Sequence, residues 1–288
     1  MSFPSANLFM GALATVFLIT SVGTSNAVEV VAGGTTNYNT TDNIGGTVSG
    51  WTNGVSAGNT NTGWNYVGQA GLYDLSAVYL GSGWVLTAAH VYPENTNIFT
   101  LNGNAYNLTG TSFTNFTYSG NSADLTLFQI STVATNGFNL SLPSLTIDSN
   151  SLTNNLSKVV MIGYGGTGQE SWGYNTVTYS SGYLGDSPWN SVGFETSYGT
   201  NSFPSFTNSA ILVNGDSGGG DFVKVGTNWE LAGINVGVGS SSNSGFVQLG
   251  FYDSQILADM NSVPEPSAYL LMGVGLLVLV TMRRMFKA

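Results

Sequence analysis

The sequence predicts an all-β fold of the antiparallel barrel type with one short helix at its end, and three observations predict it. Short apolar runs recur along the body without helical spacing, and 39 glycines, with Asn, Ser and Thr, crowd the gaps between them. No alternation of strand-like and helix-like segments occurs, which disfavours a parallel sheet. One stretch near the end of the body carries helical signals.

Taken in order, residues 33–63 hold few apolar anchors and predict loop or weak edge strand. From Trp64 onward, strands are expected over residues 76–80, 84–87, 124–130, 158–162, 229–238 and 246–252. Several alternate, as in Leu125 and Leu127 against Thr126 and Phe128. The helix is expected to start at Asp253 or Ser254 as cap, to set Ile256, Leu257 and Met260 on one face, and to stop by Asn261 and Pro264.

Both ends carry processing signals. Residues 8–19 form an apolar run of signal-peptide length, and the small residues Ser25 and Ala27 flank Asn26 where signal peptidase would cut. Residues 1–27 are therefore expected to be removed on export. At the other end, Val263-Pro264-Glu265-Pro266-Ser267 precedes an apolar segment over residues 268–282 and the pair Arg283-Arg284. That segment is shorter than the roughly 20 residues of a spanning helix, though flanking residues extend it, and the basic pair would sit at the cytoplasmic face. In its order of parts, this tail resembles the PEP-CTERM sorting signal of Gram-negative bacteria. The resemblance implies processing by an exosortase, at least transient membrane attachment over residues 263–288, and delivery to the envelope, the surface or the medium. A body of residues 28–262 remains, long enough for a real hydrophobic core.

Charge and composition exclude several function classes. Within the body only Lys158 and Lys224 are basic, against 14 acids. Nucleic-acid affinity comes largely from Lys and Arg displacing counterions, so no nucleic-acid partner is expected. The chain has no cysteine and a single histidine, His90. No disulfide, thiolate site or His-rich zinc site is therefore expected, and no metal or other cofactor.

Three segments carry chemistry. Trp84-Val85-Leu86-Thr87-Ala88-Ala89-His90 is an apolar strand ending in small residues and the sole histidine, a geometry that turns the imidazole toward a cleft. Gly215-Asp216-Ser217-Gly218-Gly219-Gly220 surrounds a serine with glycines. A serine hydroxyl needs a base to become a nucleophile, and acyl transfer needs N–H donors aimed at the developing oxyanion. Glycines permit the uncommon backbone angles that supply them, and the amides of Gly215 and Ser217 are the natural pair. Ser122-Ala123-Asp124-Leu125-Thr126-Leu127-Phe128 sets an acid at the head of a strand, where it can accept the second ring N–H of His90. Each segment alone also has a plain structural reading: a turn histidine, a Gly-rich hairpin, a strand-capping aspartate.

Chain order discriminates among hydrolases. In an α/β-hydrolase the histidine follows the serine, and no histidine follows Ser217. A subtilisin-like order needs an acid before the histidine; Asp42 and Asp74 are available, but they and His90 do not sit in that family's motifs. The order His90, Asp124, Ser217 remains.

Thr87-Ala88-Ala89-His90, Asp124-Leu125-Thr126-Leu127 and Gly215-Asp216-Ser217-Gly218-Gly219 resemble the three catalytic signatures of the trypsin/chymotrypsin-like serine proteases. Leu231-Ala232-Gly233-Ile234 resembles the strand that follows the nucleophile, and the likeness spans roughly residues 64–260. It implies two six-stranded antiparallel β-barrels with a His90-Asp124-Ser217 triad at their junction, acting on polypeptides through an acyl-enzyme. By the same resemblance Ile211, six residues before the nucleophile, lies at the base of the primary specificity pocket. An isoleucine there cannot pair a buried cation, so an uncharged or apolar preference is expected. Asn235-Val236-Gly237 would pair with an extended peptide as an added strand.

The chain also departs from the family. The family's activated N-terminus reads Ile-Val-Gly-Gly or similar, and its freed amine pairs with the acid before the serine, here Asp216. Val30-Val31-Ala32-Gly33-Gly34 and Asn43-Ile44-Gly45-Gly46 echo that motif, yet neither follows a basic residue. Gly220-Asp221 replaces the usual Gly-Pro, and the missing disulfides resemble the bacterial branches. Two other readings stand beside the protease: a non-catalytic structural or adhesive surface protein on the same scaffold, motivated by the Gly/Asn/Ser/Thr-rich composition and the sorting tail, and an esterase using the same site.

Overall fold

The computed structural model describes residues 28–32, 35–51, 63–71, 75–92, 97–165, 168–186, 188–197, 210–238 and 243–262. The expected signal peptide, the tail from residue 263, residues 33–34 and 52–62 of the lead-in, and Asp74 lie outside them. Among the described residues no helix is long and apolar enough to cross a membrane.

Among the described residues, seventeen strands and one α-helix follow in chain order. Strands β1 (Glu29–Ala32) and β2 (Thr35–Asn37) come first, then β3 (Val67–Ala70), β4 (Leu75–Gly81), β5 (Trp84–Thr87), β6 (Ile98–Leu101) and β7 (Asn104–Phe113). A small hairpin, β8 (Thr117–Tyr118) and β9 (Asn121–Ser122), precedes β10 (Thr126–Ile130). The second half holds β11 (Lys158–Gly163), β12 (Ser171–Asp186), β13 (Trp189–Ser197), β14 (Ala210–Ile211), β15 (Gly220–Val225), β16 (Asn228–Val238) and β17 (Asn243–Gln248). Helix α1 (Asp253–Ser262) ends the body.

Two closed six-stranded antiparallel barrels result, one ordered β10-β5-β4-β3-β6-β7 and the other β11-β12-β13-β17-β16-β15. Closure leaves no unpaired sheet edge within either barrel. Strand β5 has every residue buried, as does β4 after Leu75, whereas β6 alternates half-buried and buried. One apolar cluster runs through both barrels, joining Val78, Leu86 and Phe128 of the first to Val160, Phe222, Leu231 and Val247 of the second. A second cluster in the C-terminal barrel gathers Met161, Val177, Phe194, Leu212 and Phe246, and includes Val28 from the head of the body. Each such side chain, fully withdrawn from water, contributes about 1.5–3 kcal/mol.

The described part of residues 33–63, expected as loop or weak edge strand, contains β2 and a short 3-10 turn, Ile44–Gly46. Strand β1 docks against β14, with Glu29 opposite Ile211 and Val30 opposite Ala210. The helix starts at Asp253 as expected, and Ile256 is buried while Met260 packs against the core. Leu257, expected on the same face, is instead 47% exposed. Gln255 ties the helix to β8 through paired hydrogen bonds with the backbone of Thr117.

Candidate active site

The site lies where the barrels meet. Strand β5 runs buried from Trp84 to Thr87, and the chain then turns through the short helix Ala89–Val91 that carries His90. Ala88, extended and completely buried, makes the turn. Asp124 stands two residues ahead of β10, which pairs directly with β5 through Thr126 opposite Thr87. This pairing brings His90 and Asp124 together across 34 positions. His90 Nδ1 lies 2.6 Å from Asp124 Oδ2, and the His90 backbone N–H donates to Oδ1 at 3.0 Å. The carboxylate is 2% exposed, and its own backbone N–H donates to Ser191 Oγ at 2.9 Å.

Ser217 enters from the second barrel on the loop between β14 and β15. Gly215 (φ 100°) and Gly218 (φ 84°) take left-handed conformations on either side of it, which only glycine adopts without strain. At Gly218 a side chain is also excluded by space: a Cβ would overlap Ser76 O and Thr87 Oγ1. The loop is fixed to the first barrel through Ser76 of β4, whose N–H donates to Ser217 O at 2.9 Å. Ser76 Oγ in turn accepts the Tyr164 N–H at 2.9 Å. Gly218 N–H donates to Asn235 O at 2.8 Å, and Gly219 N–H to Asp216 O at 3.0 Å. No hydrogen bond from the amides of Gly215 or Ser217 to another described residue is seen.

His90, Ser217, Gly215, Asn214, Leu212, Val213, Val236 and Gly237 line one cleft of about 300 Å³. Among the described residues no acidic side chain lines it. Ile211 is half-buried in β14, paired with Glu29, while the cleft wall itself is formed by its neighbours Leu212 and Val213. Of the triplet 235–237, Val236 and Gly237 face the cleft. Asn235 is fully buried, with its backbone already bonded to Gly218 and Gly219 and its side-chain amide donating to Ile162 O and Asp216 O. Among the described residues no three His, Asp or Glu side chains converge as metal ligands would.

Three features escaped the sequence. Trp189, at the head of β13, lies with its ring 6.1 Å from that of His90. With Ala89, Tyr92, Thr126 and Pro188 it lines a second hollow. Ser191 supports Asp124. Asp216, completely buried beside the nucleophile, accepts the N–H of Val28 on both carboxylate oxygens, at 3.1 and 3.0 Å. The residue that meets Asp216 is therefore Val28, not Val30 in β1 or Ile44 in its 3-10 turn. Only the last had a sequence signal: the resemblance implies that Asp216 pairs with a freed N-terminal amine, while the echoes of that motif lie at residues 30–34 and 43–46 and not at Val28.

Burial is the dominant influence on Asp216 and pushes its carboxyl up to about 7, opposed by N–H bonds from Val213, Val28 and Gly165. Asp221 is buried close by, and desolvation followed by the charge of Asp216 raises it well above the ordinary carboxylate range. Neither of its oxygens has a hydrogen-bond partner among the described residues.

Comparison with known proteins agrees with this architecture. Residues 75–234 match the trypsin-like peptidase domain family, and residues 262–284 match the PEP-CTERM protein-sorting motif. No curated protein matches the chain. Among solved structures, the inactive form of the Rv3671c protease, a protein of M. tuberculosis, is 16% identical, with a TM-score of 0.51 over 68% of this chain and 89% of that one. Its active form is 15% identical, with a TM-score of 0.50 over 70% and 83%. The scabies mite inactivated protease paralogue S-I1 is 16% identical, with a TM-score of 0.51 over 73% of this chain and all of that one. At these identities the likeness is one of fold. With the family match covering more than half of its length, the chain belongs to the trypsin-like peptidase domain family, and its PEP-CTERM motif marks it for export to the cell surface or beyond.

Proposed function

We propose that the protein is an exported serine endopeptidase of a Gram-negative bacterium, with Ser217 as nucleophile, His90 as base and Asp124 as the group that orients it. The observation that carries the reading is the buried Asp124 carboxylate bonded to His90 Nδ1, with His90 and Ser217 on one cleft. Nδ1–H donates to Asp124, which leaves Nε2 as the basic atom. Nε2 takes the Ser217 proton as Oγ bonds to the substrate carbonyl carbon, and the Gly215 and Ser217 amides receive the developing oxyanion. The imidazolium passes its proton to the leaving amine as the C–N bond breaks. Water then repeats the sequence on the acyl-enzyme, releasing the acid and Ser217.

The cleft wall of Leu212, Val213 and Val236 supports a preference for an uncharged or apolar side chain before the cut bond, since a cation there would meet no acid. Val236 and Gly237 are the positions that would pair with an extended substrate.

The fold also occurs in an inactivated protease paralogue, so fold alone does not imply catalysis. Retention of all three side chains, two of them hydrogen-bonded, favours the enzyme over a structural scaffold. The test is labelling of the exported protein with a fluorophosphonate and hydrolysis of peptide libraries, wild type against Ser217→Ala. Labelling and peptide cleavage that vanish in the variant support the reading. Ester cleavage without peptide cleavage would reduce it to an esterase, and absence of labelling would leave the scaffold.

A further inference from the structure

A cavity of about 600 Å³ opens on the C-terminal barrel, and none of its lining residues belongs to the Ser217 cleft. Strand pairing decides what faces it. Thr176 of β12 stands opposite Lys158 of β11, and Lys224 of β15 stands opposite Trp229 of β16. Between them, β11 and β15 pair Val159 with Val223 and Val160 with Phe222; the same register, extended by one residue, sets Lys158 opposite Lys224. Side chains alternate along a strand, so the next row on this face is Tyr174, Val160, Phe222 and Leu231. Both lysines, with Val160, Tyr174 and Trp229, line the cavity.

That juxtaposition is unfavourable by itself. Directly opposed residues of antiparallel strands have Cβ atoms about 4.5–5.5 Å apart, and like charges so placed repel. The body has two basic residues against 14 acids, and both stand at this one spot. Among the described residues no acidic side chain lines the cavity, and residues 52–62, which follow the lead-in beside it, contain no acid. The space is also built in advance of any ligand. Lys224 Nζ donates to the carbonyl of Ser49, another lining residue, at 3.2 Å. Trp229 is held edge-on by Trp51 and by a bond from its Nε1 to Gly50 O at 3.2 Å. The rest of the wall includes apolar Val48 and Leu156, the latter 74% exposed. Two cations therefore share one cavity with an apolar surface.

We propose that this cavity binds a small amphiphilic carboxylate, its head between Lys158 and Lys224 and its apolar body against Val160 and Leu156. The head turns a repelling pair of ammonium groups into donors of charge-assisted hydrogen bonds. The body withdraws the apolar wall from water. An inorganic anion gains only the first of these contributions, and a neutral alcohol only the second. The volume lies in the range of small-molecule sites. A polyanion is disfavoured, because beyond the two lysines it would meet a body that is acidic throughout. Binding here does not rest on the serine-protease reading, since no residue of the cavity takes part in that chemistry.

The test uses the exported protein purified from a Gram-negative host, with octanoate as the probe and 1-octanol, acetate and inorganic phosphate as comparisons. Calorimetry gives the affinities, and lysine acylation followed by peptide mass spectrometry gives the place. Octanoate should bind with Kd on the order of 1 mM or tighter, more tightly than each comparison, and should protect Lys158 and Lys224 from acylation. Lys158→Gln and Lys224→Gln should each weaken octanoate about 5-fold, as for one exposed ion pair, and leave octanol unchanged. Octanol binding as tightly as octanoate would reduce the cavity to an apolar hollow, and acetate or phosphate doing so would reduce it to a patch of charge; either overturns the proposal. So do lysines that octanoate leaves unprotected, or an octanoate affinity that neither lysine variant changes. Should the lysine variants fail to accumulate, Leu156→Asp, at an exposed position, decides: it sets an acid in the cavity and should abolish octanoate binding, and undiminished binding overturns the assignment. Protection of both lysines in a protein that never labels with fluorophosphonate would uphold this site and defeat the protease reading.

Discussion

The Asp124 carboxylate grips His90 twice, through Nδ1 at 2.6 Å and through the backbone N–H at 3.0 Å. The backbone bond survives any change that keeps an oxygen at Oδ1, while the ring bond depends on the charge and the acceptor at Oδ2. Asp124→Asn therefore separates orientation from position. An amide NH₂ facing Nδ1 stabilises the tautomer with Nε2–H, which cannot accept the Ser217 proton. The expected loss in kcat is on the order of 10³–10⁴-fold with KM little changed, measured by steady-state kinetics on a peptide cleaved by the wild type. A small loss would show that Asp124 only caps its strand.

Gly218 tests the packing of the nucleophile loop. Its φ of 84° costs alanine about 1–2 kcal/mol, and its Cβ would also overlap the Ser76 carbonyl and Thr87 Oγ1. Gly226→Ala is the control, since its φ of 62° carries a similar backbone penalty with open space around the Cβ. Gly218→Ala should lower the thermal midpoint more than Gly226→Ala and abolish labelling of Ser217, while the control labels normally. Equal midpoints would mean that the Ser76–Thr87 contact yields easily.

The sequence showed most of this site because its signals are local. Strand β5 is a run of large apolar residues that must be buried, and its bounds agree with the expectation at both ends. Strand β12 escaped because its 16 residues are mostly Ser, Gly, Asn, Thr and Tyr, and it bends at two register shifts against β13. Its strand character comes from the partner it pairs with rather than from its own apolar periodicity. The neighbours of the triad escaped for a related reason. Ser191 and Trp189 lie more than 60 positions from Asp124 and His90 and belong to no motif. Val28 and Asp216 are 188 positions apart, and only folding brings them into contact.

Gly237 offers a way to change preference without touching the triad. It lines the cleft, and a Cβ there would meet no atom of the described residues within 4 Å. Gly237→Val should leave the fold and fluorophosphonate labelling intact while its branched side chain fills space that substrate would occupy. Peptides with a bulky apolar residue before the cut should lose kcat/KM by about 10–200-fold, the range that one or two methylenes decide in an apolar pocket, and peptides with alanine there should lose less. A library profile unchanged from wild type would place the primary pocket elsewhere.

Burial of Asp216 and Asp221 makes stability depend on pH in a direction opposite to that of a salt-bridged acid. Burial raises Asp216 from its ordinary 3.8 to about 7, and Asp221 also lies well above its ordinary value. Between these limits the folded chain holds more protons than the unfolded one, so this contribution is fully present below about pH 4 and is lost as pH rises toward about 7. Asp216→Asn removes the share of Asp216 and leaves that of Asp221. The difference in stability, wild type minus variant, should therefore be largest near pH 4 and fall as pH rises to about 7. Denaturant titrations of both proteins from about pH 4 to 8 measure it. A difference that is flat across the range would mean that Asp216 ionises at its ordinary value in the folded protein.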